Sequence, residues 1–201
     1  AVGTGTGSFV NQWVNALATD GSNLYAGGNF FNLGSATVTR IAKWDGGTWT
    51  GLGTGVNGEV RSILINGADV YVAGGFTKAG SPTAWGVAKW NGAAWSALGA
   101  GLSNNVFASS ATGYALGMKD GVLHVGGSFG GAGSVVATNF AKWSGTAWSS
   151  QGSGINGAIR AVVVSGTDIY VGGKFTSIGN TAATLIAKWN GSSWSALRAA
   201  A

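Results

Sequence analysis

Ala42-Lys43-Trp44-Asp45-Gly46-Gly47-Thr48-Trp49 decides how the rest of the chain is read. The phrase returns as Ala88-Lys89-Trp90-Asn91-Gly92-Ala93-Ala94-Trp95, as Ala141-Lys142-Trp143-Ser144-Gly145-Thr146-Ala147-Trp148, and as Ala187-Lys188-Trp189-Asn190-Gly191-Ser192-Ser193-Trp194. Four copies make this a repeat protein, and a repeat has to be recognised before any local pattern is interpreted. Trp44, Trp90, Trp143 and Trp189 stand 46, 53 and 46 residues apart.

Each period holds four strand-like runs, clearest in the second at residues 60–65, 69–77, 85–90 and 94–98. The first hairpin turns at Asp20-Gly21, Asn66-Gly67, Asp120-Gly121 and Ser165-Gly166, and the last at Asp45-Gly46, Asn91-Gly92, Ser144-Gly145 and Asn190-Gly191. Asn-Gly and Asp-Gly links predict type I′ turns, in which both central residues have positive φ. Two tight hairpins around a looser link, which passes Pro82 in the second unit, make each repeat a four-stranded antiparallel meander. A meander of about 40–50 residues is the blade of a β-propeller.

The expected fold is therefore all-β, one propeller domain over residues 1–201 with blades at about 8–55, 56–101, 102–154 and 155–198. Closure has two solutions, a single four-blade ring or half of an eight-blade ring completed by a homodimer. Val2-Gly3-Thr4-Gly5 matches Leu52-Gly53-Thr54-Gly55, so residues 1–5 read as an outer-strand fragment available for closure.

The phrases Tyr-Val-Gly-Gly-x-Phe and Ala-Lys-Trp-Asp-Gly resemble the propeller repeats of bacterial secreted and surface proteins and of the fungal cortical polarity-marker family. The resemblance covers nearly the whole chain. It implies an extracellular or bacterial cell-surface setting and no activity. The regularity of the units and the Ala-rich tail also fit an alternative expectation, a designed or trimmed propeller scaffold with no native ligand.

Composition agrees with this class. Among 201 residues, 38 are Gly, 10 are Trp, one is Pro and only 8% are charged. Such aromatic content separates the chain from disordered sequences of low complexity. The Gly pairs Gly27-Gly28, Gly74-Gly75, Gly126-Gly127 and Gly172-Gly173 are followed by Phe30, Phe76 and Phe175, with Phe129 reading one step out of register. Glycines inside a strand mark close approach by another group. The Trp indoles are expected over these glycines or against the neighbouring blade, supplying much of the core.

The net charge of +5 comes from scattered Lys and Arg with no basic run, so a nucleic-acid partner is not expected. No run approaches the ~18 apolar residues of a membrane span, no signal peptide opens the chain, and there is no Cys. Asp20, Asp45 and Asp120 fall in turns, and Asp69 and Asp168 open second strands, so paired carboxylates for acid–base chemistry are not indicated. His124, the only His, stands where the other units have Tyr25, Tyr71 and Tyr170 and reads as a packing substitution. Neither a nucleophile–base set nor a metal-ligand cluster can be assembled, so the expectation is a non-enzymatic binding or assembly module without metal or cofactor.

Candidate binding residues are those that break the repeat. Trp13 and Trp85 lack counterparts, and Asn104, Asn105 and Phe107 lie in the link that lengthens the third unit. Exposed Trp beside amides suits a sugar ring, so a lectin-like propeller, or protein binding at the rim, is the alternative reading. The repeated Lys43, Lys89, Lys142 and Lys188 would hold an anion if they met on an axis; otherwise they are solvated or blade-edge lysines.

Overall fold

The computed structural model describes residues 12–104, 111–152 and 154–197. The described strands form four four-stranded antiparallel sheets, each a meander whose strand order follows the chain. Sheet one holds Trp13–Thr19, Leu24–Asn29, Ile41–Trp44 and Trp49–Gly51. Sheet two holds Glu59–Asn66, Asp69–Gly75, Val87–Trp90 and Trp95–Ala97. Sheet three holds Thr112–Lys119, Val122–Ser128, Phe140–Trp143 and Trp148–Ser150, and sheet four Ile159–Ser165, Asp168–Gly173, Ile186–Trp189 and Trp194–Ala196. The chain divides into two compact units at Gly101/Leu102, the boundary expected between the second and third blades. The fragment expected at residues 1–5 lies outside the described residues.

The turn chemistry differs from the type I′ expectation. Only Asp120-Gly121 has positive φ at both positions, 51° and 76°. In sheets two and four, Asn66 pairs with Asp69 and Ser165 with Asp168, leaving Gly67-Ala68 and Gly166-Thr167 as the loops. There Gly alone is positive, at 60° and 57°, the pattern of a type II′ turn. The last hairpins are four-residue loops. Asp45 Oδ1 accepts from the amides of Gly47 and Thr48, and Asn91 and Asn190 repeat this Asx-turn. Each loop is closed by a cross-strand Trp pair, Trp44–Trp49, Trp90–Trp95, Trp143–Trp148 or Trp189–Trp194, with ring centroids 5.2–5.5 Å apart.

The glycine pairs have a different cause from the one expected. Every first strand carries a bulge, between Val14 and Ala16, Val60 and Ser62, Gly113 and Ala115, and Ile159 and Ala161. Opposite it stand Gly28, Gly74, Gly127 and Gly173, where a Cβ would strike the carbonyl oxygens of Trp13, Glu59, Thr112 and Ala158. The preceding Gly27 and Gly126 admit Val60 and Ile159 from the next sheet's first strand. Sheet two has buried Ala73 at that place, so its Gly pair is the displaced one. Phe129 is in register, its carbonyl accepting from Asn139 as that of Phe30 accepts from Arg40.

The indoles cover other glycines and lean on the neighbouring sheet. A Cβ on Gly53 or Gly133 would come within 3.0 Å of Trp90 or Trp148. Trp95 Nε1 donates to the Leu52 carbonyl at 2.7 Å, joining sheet two to sheet one. In the second unit, Trp194 Nε1 donates to the Gln151 carbonyl at 3.4 Å. Between sheets one and two the core gathers Ile41, Leu52, Val60, Val72, Phe76 and Trp95, and between sheets three and four Phe140, Ile159, Val171, Phe175 and Trp194.

Candidate functional site

Each unit carries the same cleft, bounded by the second and third strands of its leading sheet and the second and third strands of its following sheet. In the first unit, Tyr25, Lys43 and Leu52 face Val70, Trp90 and Gly92 around about 160 Å³. In the second, His124, Lys142 and Gln151 face Ile169, Trp189 and Gly191 around about 190 Å³. The far wall keeps its character, whereas the near wall exchanges Tyr for His and Leu for Gln.

The Tyr/His and Lys positions are cross-strand partners in all four sheets: Tyr25 with Lys43, Tyr71 with Lys89, His124 with Lys142, Tyr170 with Lys188. In sheets two and four the lysine is neutralised within its own sheet. Lys89 Nζ lies 3.0 Å from Asp69 and Lys188 Nζ 3.3 Å from Asp168. In sheet one Tyr25 donates to Asp20 at 3.1 Å. Burial, then Asp20, raises the Tyr25 pKa. Asp20 itself lies well below the usual carboxylate range, held there by the Asn23 side chain and the amides of Asn23 and Ser22.

Sheet one has Asn23 at the position of Asp69 and Asp168 and no ion pair to Lys43 among the described residues, and sheet three departs further. Val122 occupies the position of Asp69 and Asp168, two residues before the Tyr/His column. Among the described residues no carboxylate lies within ion-pair distance of Lys142, while Lys119 at the lip pairs with exposed Asp120 at 2.5 Å. His124 and Gln151 are each only 4% exposed. Neither His124 Nδ1 nor Gln151 Oε1 completes a hydrogen bond. Burial, reinforced by Lys142, drives the His124 pKa down to about 4, the neighbouring Gln151 amide opposing the shift. The imidazole stacks on Phe140 with centroids 5.9 Å apart. The packing role expected of His124 is thus present, and His124 and Gln151 both line the cleft.

The residues singled out from the sequence are dispersed. Trp13 is 44% exposed, and its Nε1 donates to Glu59 Oε1 at 2.8 Å, tying the first strands of sheets one and two together. Trp85 is 43% exposed, its backbone packed against Gly101. Asn104 is half-buried, while Asn105 and Phe107 lie outside the described residues. Lys43, Lys89, Lys142 and Lys188 sit on third strands, which have partners on both sides, so the blade-edge reading is corrected. Among the described residues no three of His, Cys, Asp and Glu gather to hold a metal ion. Gln151, Val122 and Lys119 were not anticipated. Placing the four repeats in columns would have revealed the first two: Leu52, Leu98, Gln151, Leu197, and Asn23, Asp69, Val122, Asp168.

No family model matches the chain, and no curated protein matches it. Among solved structures it is similar to designed propeller proteins. Ika4 is matched at 16% identity and TM-score 0.52 over 90% of this chain and 93% of that one. The extracellular domain of the putative one-component system BT4673 from B. thetaiotaomicron is matched at 13% identity and TM-score 0.54, over 82% of this chain and 20% of that one. YCF48, solved bound to D1 peptide, is matched at 12% identity and TM-score 0.51, over 94% of this chain and 54% of that one. The fold class is that of propeller proteins: all-β, four four-stranded antiparallel blades.

Proposed function

We propose that the chain is a non-catalytic binding module of propeller type, in which the repeated residues build the blades and one departure from the repeat recognises a ligand. The observation that carries this reading is the convergence of Val122, His124 and Gln151 on one cleft that retains unpaired buried polar atoms. Such atoms cost about 1–3 kcal/mol each when left without partners. The equivalent cleft of the first unit closes its tyrosine onto Asp20. The reading as non-enzymatic is supported by the setting of His124, whose imidazole is weakly basic and lies beside an amide and lysines rather than beside a nucleophile. YCF48 is an example of a protein with this fold holding a peptide. The test is a glycan and peptide array probed with the full chain and with a variant carrying Val122→Asp, His124→Tyr and Gln151→Leu. Retention of a defined ligand class by the native chain, lost in the variant, is the expected result; no retained ligand of either class overturns it.

A second reading, assembly through blade faces, rests on a separate observation. Ile186 is 44% exposed, while its counterparts Ile41, Val87 and Phe140 are at most 1% exposed. Leu185 and Val163 are exposed on the same blade. Within the units the equivalent residues Ile41 and Phe140 are packed against the sheet that follows, Phe140 edge-on to Trp194, so a further blade face is the natural cover for this one. A second copy supplies it head to tail. An extracellular or surface setting suits both readings, and secretion of the full-length product with the propeller outside the cell is what a protease-shaving experiment should find.

A further inference from the structure

The cleft of the second unit restricts the chemistry of its guest, on the premise that it is the binding site of the module. Its volume of about 190 Å³ is below the 300–1,000 Å³ typical of sites for drug-sized ligands, which limits the occupant to about one ring. Lys142, like Lys43 in the first-unit cleft, lacks the carboxylate that Lys89 and Lys188 have, because Val122 stands in place of the acid. This part of the site calls for an anion. Gln151 Oε1 lies near enough to the imidazole to oppose its pKa shift but completes no hydrogen bond with it, which leaves a buried acceptor without a donor. A simple anion such as sulfate or acetate offers acceptors only and leaves that atom unpaired. A hydroxyl group supplies the missing proton and can also serve His124 Nδ1, whichever ring nitrogen carries the hydrogen. Trp189 and Ile169 form the opposite, apolar wall, suited to the C–H face of a saturated ring.

We propose that this cleft binds a uronic acid residue, its carboxylate on Lys142, its ring hydroxyls on Gln151 and His124, and its apolar face against Trp189. Lys119 at the lip adds attraction for the same charge, moderated by its pair with Asp120. The first-unit cleft, with Tyr25 and Leu52 at the corresponding places, does not bind it.

Isothermal titration of the full chain with D-glucuronate, D-glucose, acetate and sulfate tests the assignment. The expected result is saturable binding of glucuronate, with glucose, acetate and sulfate each weaker by about tenfold or more, because each lacks the charge or the hydroxyl donors. Lys142→Gln and the double variant His124→Tyr/Gln151→Leu should lower glucuronate affinity by about tenfold or more while keeping native circular dichroism. The single variant Gln151→Leu, which restores the residue of the other blades, keeps the test valid if the double variant does not fold. Absence of saturable glucuronate binding overturns the proposal, as does equal binding of acetate or sulfate, or unchanged affinity in Gln151→Leu. A peptide or neutral glycan captured on the array and lost in the triple variant would overturn the uronate assignment and leave the binding-module reading standing.

Discussion

His124 shows how one residue can be both part of the core and part of a site. Its pKa falls from 6.5 to about 4 because burial disfavours the imidazolium. Lys142 from the facing strand and Lys119 at the end of the hairpin add to this, while Gln151 opposes it. Asp120, the remaining charged group beside the cleft, is turned outward and paired with Lys119. Between pH 6.5 and 4 the unfolded chain takes up a proton at this site that the folded chain refuses. Stability from this residue is therefore complete above pH 6.5, is lost as pH falls toward 4, and changes no further below it. The loss is up to about 3 kcal/mol, at roughly 1.4 kcal/mol per pKa unit. The fall in urea midpoint between pH 7.5 and 4.5 should be smaller in His124→Tyr than in the native chain; an equal fall would show that burial of this imidazole has no such effect. Asp20 and Asp45 also lose their hydrogen-bonded anionic form in acid, which is why the comparison is between the two chains rather than between two pH values.

At the scale of the element, the blade is set by its first strand's bulge and by a left-handed residue before its third strand. Arg40, Gly86, Asn139 and Leu185 occupy that second position with φ of 63°, 69°, 63° and 68°. Each amide donates to the carbonyl of the preceding Phe, and each carbonyl accepts from the second strand. Leu is poorly suited to this region, and Leu185 is largely exposed, so little packing is lost on replacing it. Leu185→Gly should stabilise the chain by about 1 kcal/mol despite the entropy of glycine. A lower melting temperature would show that the side chain contributes more than its conformation costs. Gly74→Ala has the opposite sign, since its Cβ would meet the Glu59 carbonyl across the bulge. It should cost about 1–3 kcal/mol by chemical denaturation, as overpacking does. Gly47→Ala, where the added carbon would lie 3.6 Å from the Asp45 carboxylate, should be nearly silent. Repetition made the strands and hairpins legible, but the turn types were not. Asn-Gly and Asp-Gly are compatible with more than one loop length, and the register of the flanking strands chooses between them.

For the whole molecule, the exposed face of blade four gives an expectation about assembly. Isolated apolar side chains on a surface need no explanation, but Ile186 belongs to a column that is buried in every other blade. Head-to-tail association through this face predicts a mass near 40 kDa in light scattering, about twice the 19.9 kDa chain. Ile186→Lys should return the mass to that of one chain, and a native mass of one chain at micromolar concentration would end the assembly reading.

The sequence by itself determined the class of fold, because period-two strands, Gly-containing turns and Trp pairs act over short distances and recur in every unit. It also placed His124 correctly among packing residues. Only the tertiary structure showed that Gly28 and its counterparts face a bulge, and that Trp194 leans on the blade before it. It alone brought Lys142, Gln151 and Trp189 to one cleft. The reason is physical: a turn reports its conformation within a few residues, whereas a cleft between two sheets depends on how their faces pack. The loss of an acid at Val122 acquires meaning only beside the lysine that it leaves without a partner.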